Sequence, residues 1–240
     1  MIEGIDIAHH QGAIDIHRVA REGYAFVISK ASEGVGYVDP RFDRHTRATM
    51  DAGLVPGAYH FARPDSIGDA ADGEAEARAF AAAIKSVGLL GRTMLPPAID
   101  FEKYSSNGPI ETVIWIRAFV RILELELGVS PMIYTGRNVW KFEAGNTDEF
   151  AHLPLWLVRY SSKGLDPAEP PPELLGFGRP VLWQWSGSYS KDPKRNFAHG
   201  PKVAGVRCDL NRFTGDDWLD LVTPRIRPPW CELPPAEAWT

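Results

Sequence analysis

The sequence predicts an α/β fold in which eight strands close into a barrel, the first five followed by helices and the last three joined by loops. Three observations predict it. Short β-like runs, each ending in polar or aromatic residues, recur at 3–8, 24–31, 55–61, 95–102, 131–135, 154–160, 180–185 and 204–211. Helical patterns separate the first of these runs. Beyond residue 163 the helical pattern stops: residues 164–180 hold five of the chain's 20 prolines, too many for a helix. Alternating β and α segments imply a parallel sheet with helices outside it. Eight strands favour closure over an open doubly wound sheet, giving a distorted TIM-like barrel.

The helices follow in order. Segments 14–22 and 41–52 are amphipathic, and each precedes a glycine, Gly23 and Gly53, at the position where a helix ends in the left-handed region. Segment 70–87 is rich in Ala and Glu, strong helix formers, and stops at Gly88. Pro109 suits a first helical position, and 110–127 carries apolar residues at helical spacing up to Gly128. Segment 137–150 is a weaker helix, interrupted by Gly145. Residues 186–203 lack helical periodicity. Thr214 is expected to cap a short helix running to Val222, with Asp217 at the capping-box position. Residues 1–222 are thus expected to form one barrel domain, and 223–240 a proline-rich tail packed on it.

Composition excludes several function classes. Of 240 residues 44% are hydrophobic, enough for one sizeable core. With 26 Lys+Arg against 31 Asp+Glu the formal charge is −5, and no basic cluster appears, so a nucleic-acid partner is not expected. No apolar run approaches the ~18 residues of a membrane span, so no membrane partner is expected either. Met1-Ile2-Glu3-Gly4-Ile5-Asp6 has neither a basic nor an apolar signal region. Two cysteines, Cys208 and Cys231, exclude a disulfide-rich scaffold and a four-cysteine zinc site. A Cys208–Cys231 bridge would pin the tail to the barrel and close a loop worth roughly 3 kcal/mol; two free thiols are the alternative. Eight Trp, seven Tyr and 11 Phe exceed what a core of this size needs, and such rings often line ligand clefts.

In such a barrel the active face lies at the C-terminal ends of the strands. Read in order, those ends carry Asp6, Lys30 with Glu33, Tyr59-His60, Asp100 with Glu102, Tyr134, Trp156 with Tyr160, Gln184, and Asp209 with Asn211. Side chains alternate along a strand, so Asp100 and Glu102 face one side. Asp6 faces inward between Ile5 and Ile7, and Asp209 inward together with Arg207. Four carboxylates at one mouth repel each other, which raises the proton affinity of at least one. A carboxylic acid beside ionised carboxylates is what glycosidic cleavage needs. The structural alternative is that Asp6 and Asp209 only form ion pairs with Lys30 or Arg207. Metal binding would draw on His9, His10 and His60, but no HxxxH pair occurs and no metal is expected. A lone strand-end histidine is more often a hydrogen-bonding group. Phosphate-binding glycine motifs and a G-x-S-x-G elbow are also missing.

From its first strand to its last the chain resembles the glycoside hydrolase family 25 lysozymes, the N-acetylmuramidases. The resemblance rests on Gly4-Ile5-Asp6-Ile7-Ala8-His9-His10-Gln11-Gly12, Lys30-Ala31-Ser32-Glu33-Gly34, Gly57-Ala58-Tyr59-His60-Phe61 and Pro97-Ala98-Ile99-Asp100-Phe101-Glu102. Ile133-Tyr134-Thr135, Pro154-Leu155-Trp156, Trp183-Gln184-Trp185 and Asp209-Leu210-Asn211 follow in order. It implies a barrel of five β/α units followed by three strands. It also implies that Glu102 is the general acid, that Asp100 orients or stabilises the reacting sugar, and that Asp6 and Asp209 are further cleft carboxylates. Tyr59, Tyr134, Trp156 and Gln184 would shape the sugar subsite, with Lys30 and Glu33 beside it. Two departures, Ala8 where the family often has Ser and His10 where it often has an aromatic, put rim contacts in doubt rather than the carboxylates.

The implied activity is retaining hydrolysis of the β-1,4 bond between N-acetylmuramic acid and N-acetylglucosamine, with peptidoglycan glycan strands as partner. The chain is expected to be a monomer that needs no cofactor. It would act on the cell wall, outside the cytoplasm, and phage lysis or another export route would release it. An inactive sugar-binding barrel is the alternative from another class. A chitinase-like barrel would require D-x-x-D-x-D-x-E, which the residues before Glu102 lack.

Overall fold

A computed structural model describes residues 1–65, 67–105, 107–160, 173–187 and 200–222. The order is β1 (Glu3–Ile7), α1 (Ile16–Arg21), β2 (Phe26–Glu33), β3 (Tyr37–Val38), α2 (Phe42–Asp51), β4 (Val55–Phe61), α3 (Ala70–Ser86), β5 (Ala98–Phe101), α4 (Pro109–Leu127), β6 (Met132–Gly136), α5 (Arg137–Glu143), β7 (Leu155–Val158), β8 (Leu182–Ser186), β9 (Asp209–Phe213) and α6 (Trp218–Val222). The sheet runs β1-β9-β8-β7-β6-β5-β4-β2-β3, and pairing of β1 with β2 closes it into an eight-stranded barrel that leaves β3 outside. The expected barrel of five β/α units and three closing strands is what forms.

Local chemistry accounts for the helices. Asp15 accepts the amide of Arg18 at the start of α1, and Asp69 that of Asp72 at the start of α3. Pro109 opens α4, and Gly128 closes it at φ 69°. Strands alternate between an outer and an inner face. Outward, Ile99, Phe101 and Ile133 pack with Phe80, Trp115, Ile116 and Phe119 of α3 and α4. Inward, Phe26, Ile28, Ala98, Met132 and Leu182 fill the lower barrel, where Leu221 and Val222 of α6 plug the end. The Trp218 ring lies 5.5 Å from that of Phe26 and 5.3 Å from that of Phe213. An apolar plug below leaves only the upper mouth for polar groups.

Several expectations change. β9 runs antiparallel to both β1 and β8, so the sheet is not wholly parallel. It also begins at Asp209 and not near residue 204, because residues 203–206 form a tight turn with Val203 and Val206 exchanging backbone hydrogen bonds. The two-residue β3 escaped notice because it is exposed and shorter than any periodicity window. α5 ends at Glu143, well before residue 150. Thr214 does not cap α6: its hydroxyl donates to Pro180 O, and Asp217 accepts the amides of Leu219 and Asp220 instead. Arg207 is exposed and does not accompany Asp209 inward. Cys208 is a free thiol buried against Trp183, Trp185 and Leu210, on the side away from the mouth, and burial pushes its pKa up to about 12. Cys231, the tail 223–240 and most of the two long loops between β7 and β9 lie outside the described residues.

α3 lies close against α4 at Gly73, where the backbone of Trp115 leaves no room for a side chain. A Cβ built there would sit 2.6 Å from the backbone oxygen of Trp115. Alanine is the better helix former by about 1 kcal/mol, so an exposed site would gain from Gly→Ala. Here backbone cannot yield, and Gly73→Ala should destabilise the protein by about 1–3 kcal/mol. Denaturant melts of the two proteins give the sign directly.

Candidate active site

A cleft of about 250 Å³ opens at the mouth of the barrel, and its wall includes Asp6, Lys30, Tyr59, Asp100, Glu102, Tyr134, Trp156, Gln184 and Asp209. Strand alternation brings them there. Lys30 lies level with Tyr59, Asp100 with Tyr134, and Tyr134 with Trp156 on neighbouring strands. Nine of the ten residues to which the family resemblance gives a site role therefore line one cavity. Glu33 is the tenth, and it lines an adjoining pocket of about 710 Å³ with His9, Tyr37 and Arg63. Lys30 and His10 border both.

Asp209 reaches the mouth by a route the sequence did not reveal. The sequence pattern puts it at the C-terminal end of a parallel strand, but it opens an antiparallel one. The two differences cancel, and the register sets Asp209 directly opposite Asp6. Two carboxylates at adjacent strand positions repel. Asp6 is held by two amides: Gln184 Nε2 donates at 3.0 Å and Asn211 Nδ2 at 2.7 Å, both to Oδ2. Those amides are oriented in turn. Tyr134 and Tyr160 donate their hydroxyls to Gln184 Oε1 at 2.9 and 3.2 Å, and Trp156 Nε1 donates to Asn211 Oδ1 at 2.8 Å. The Tyr134 and Trp156 rings meet edge to face with centroids 4.6 Å apart.

The alternative of simple ion pairs fails for Asp6 and Lys30. Lys30 Nζ donates to Glu33 at 2.6 Å and lies over the Phe61 ring, 4.7 Å from its centroid. Asp6 and Asp100 are buried, while Glu102 opens to solvent at the mouth. Burial, reinforced by the charge of Asp209, pushes the Asp6 carboxyl well above the usual range, although its two amide donors pull the other way. Burial and then the charges of Glu102 and Asp6 do the same to Asp100. Glu102 is also raised, first by the protein around its carboxyl, with Lys103 and Lys30 opposing. Tyr59 and Tyr134 are driven well above the ordinary phenol range by burial and by the carboxylates around them, so both stay neutral donors. Asp100 Oδ1 is buried with no hydrogen-bond partner among the described residues. A group whose charged form is so disfavoured holds its proton to higher pH.

Phe61 also lines the cleft, and the sequence reading gave it no site role, although it lies two residues from Tyr59 on the same face of β4. Tyr160 and Asn211, which the sequence reading puts at strand ends, serve the site through Gln184 and Asp6. Ala8 and His10, the two departures from the family pattern, both line the cleft. Among the described residues no group of His, Cys, Asp and Glu is arranged to hold a metal ion. Nor is any described helix long and apolar enough to cross a membrane.

Comparison with known proteins identifies the family. Residues 5–193 match the sequence profile of "Glycosyl hydrolases family 25", which stops short of Asp209. Lysozyme M1 of Streptomyces globisporus is 31% identical over 223 residues, covering 89% of this chain and 68% of that protein. The N,O-diacetylmuramidase of a Chalaropsis species is 32% identical over 212 residues, covering 83% and 94%. Among solved structures, a family GH25 lysozyme from Aspergillus fumigatus superposes with a TM-score of 0.75 at 28% identity, covering 92% and 99%. With a profile match over most of its length and a barrel of the same form, this chain belongs to glycosyl hydrolases family 25 and is a glycoside hydrolase.

Proposed function

We propose that the protein is a lysozyme that hydrolyses the β-1,4 bond between N-acetylmuramic acid and N-acetylglucosamine in peptidoglycan, with retention of configuration. The observation that carries this reading is the pairing of Glu102, open to the cleft, with buried Asp100 two residues earlier on the same face. Coupled carboxyls in one mouth share protons as a set, and the proton that matters must sit on the group able to reach the leaving oxygen. Glu102 is that group. Its O–H donates to the glycosidic oxygen as the bond to the anomeric carbon breaks.

The acetamido carbonyl oxygen of the substrate attacks the anomeric carbon from the opposite face. Asp100, which lines the cleft, accepts the acetamido N–H and in its ionised form balances the positive charge that develops. Glu102, now ionised, takes a proton from the water that completes hydrolysis. Direct attack by Asp100 on the anomeric carbon is the variant of this mechanism, and it also retains configuration. Asp6 and Asp209 set the charge of the floor, and Tyr59, Tyr134, Trp156 and Gln184 shape the sugar site. The names of the relatives, lysozyme and N,O-diacetylmuramidase, support the choice of substrate. The site of action is then the cell wall, and the protein works as a monomer on glycan strands. Residues 1–222 are the catalytic unit of this reading.

Three outcomes test it. Glu102→Gln should fold normally and lose about 10²–10⁴-fold in turnover of a peptidoglycan suspension. The fragments released by the unaltered enzyme should carry muramic acid at their reducing ends by mass spectrometry; reducing-end glucosamine would contradict the bond assignment. Asp100→Asn should be nearly as damaging as Glu102→Gln, since an amide cannot balance developing positive charge.

Asp6→Asn should be milder in activity and should raise stability at pH 7. The sign follows from the raised folded-state pKa of Asp6. Its contribution to stability is full below the unfolded value and falls as pH rises through the folded one, so the buried anion is a net cost at neutrality. The amide removes that cost while keeping an acceptor for Gln184 and Asn211. Melting curves at pH 7 and pH 4 should show a gain at the first that shrinks at the second.

A further inference from the structure

Behind the cleft wall lies a hydrogen-bonded chain that the proposed reaction does not use. Ser32 Oγ is 2.8 Å from His60 Nδ1, and His60 Nε2 is 2.7 Å from Glu76 Oε2. All three residues are wholly inaccessible, at 0% exposure. The order serine–histidine–carboxylate is that of a hydrolytic triad, but no substrate can reach a hydroxyl so placed. The rings of Phe80 and Phe119 stand 5.5 and 5.2 Å from the imidazole, an apolar setting that disfavours imidazolium. Glu76 Oε2 also accepts the Arg63 amide at 3.1 Å, so it is an acceptor, and the imidazole must donate to it from Nε2. Nδ1 is then the acceptor for the Ser32 hydroxyl.

The chain ends at an irregularity that matters to the cleft. Opposite β4, Lys30 is level with Tyr59, Ser32 with His60 and Glu33 with Phe61, so Ala31 is an extra residue in a β-bulge. In a regular strand Lys30 and Ser32 would share a face and Glu33 would lie opposite. With the bulge, Ala31 packs in the outer core and Ser32 turns outward to His60. Lys30 and Glu33 both turn to the cleft side, where they form their ion pair. Arg63 reaches Glu33 Oε1 from the exit of β4 at 2.9 Å.

We propose that Ser32, His60 and Glu76 are positioning residues: neutral His60 ties the bulge in β2 to α3 and so holds Lys30 on the cleft face among the carboxylates. This rests on the reading of the cleft given above. Asp100 and Glu102 are faced by Asp6 from β1, Lys30 from β2, Tyr59 from β4, Lys103 beyond β5, Tyr134 from β6, Tyr160 beyond β7 and Asp209 from β9. Lys30 is the cation that lowers proton affinity at both Asp100 and Glu102. His60 itself is faced by Glu76, Lys30 and Glu33.

A double-mutant cycle, read as pH profiles of peptidoglycan clearing, tests the idea. Lys30→Met should move both limbs of the profile upward by about 0.5 pH unit or more. Ser32→Ala should move them the same way, with kcat/KM reduced about tenfold, and the double variant should match Lys30→Met within about twofold. Unshifted limbs in Ser32→Ala, or effects that multiply in the double variant, would overturn the positioning role. An unshifted Lys30→Met profile would instead overturn the reading of the cleft, so the two failures are separable. On the unaltered protein at neutral pH, ¹⁵N NMR should find His60 as the neutral Nε2–H tautomer. A ring protonated on both nitrogens, or on Nδ1 alone, would overturn the proposal whatever Ser32→Ala does to folding.

Discussion

Crowding of carboxyl groups at the barrel mouth is the constraint around which the rest of the molecule is arranged. Asp6 and Asp209 stand level on adjacent strands, Asp100 is buried beside them, and Glu102 follows at the rim. Water cannot relieve the repulsion at buried positions, so the protein must do it with dipoles, a cation and retained protons. The amides of Gln184 and Asn211 serve Asp6, and aromatic donors hold those amides in place. Their aromatic rings also form part of the cleft wall, which ties the geometry of the sugar site to the electrostatics beneath it.

The apolar half of the barrel makes this arrangement possible. Phe26, Ile28, Met132 and Leu182 fill the lower interior, and Leu221 and Val222 of α6 close it. A dry floor of this kind strengthens every charge interaction above it. The outer layer contributes as well. α3 supplies Glu76 to the chain that reaches the bulge in β2, and its close approach to α4 is permitted by Gly73. Cleft, core and helical layer are thus linked through short polar connections and not by packing alone.

Much of this was legible in the sequence because period-2 alternation is a strong signal in short strands. It sent Asp100 and Glu102 to one side, and Tyr59, Tyr134, Trp156 and Gln184 to the same mouth. What alternation cannot carry is direction. Nothing in 204–211 marks β9 as antiparallel, and the tight turn at 203–206 that starts it late is marked only by Gly205, at φ 82°. Asp209 was found at the mouth because the misplaced strand end and the reversed direction offset each other. Bulges are equally silent: Lys30 and Glu33 share a face only because Ala31 is unpaired, a fact held in the register with β4. The role of His60 was hidden for a related reason, since its partners lie 28 residues before it and 16 after it.

A mouth so crowded with carboxyls should retain a proton which ordinary carboxylates would have lost. Carboxyl-carbon NMR on protein labelled at Asp and Glu reads this directly, with single substitutions to assign the signals. At least one of Asp6, Asp100 and Glu102 should titrate clearly above the ordinary carboxylate range. If all of these carboxyls titrate near the ordinary value of about 4, burial and repulsion do not control the site.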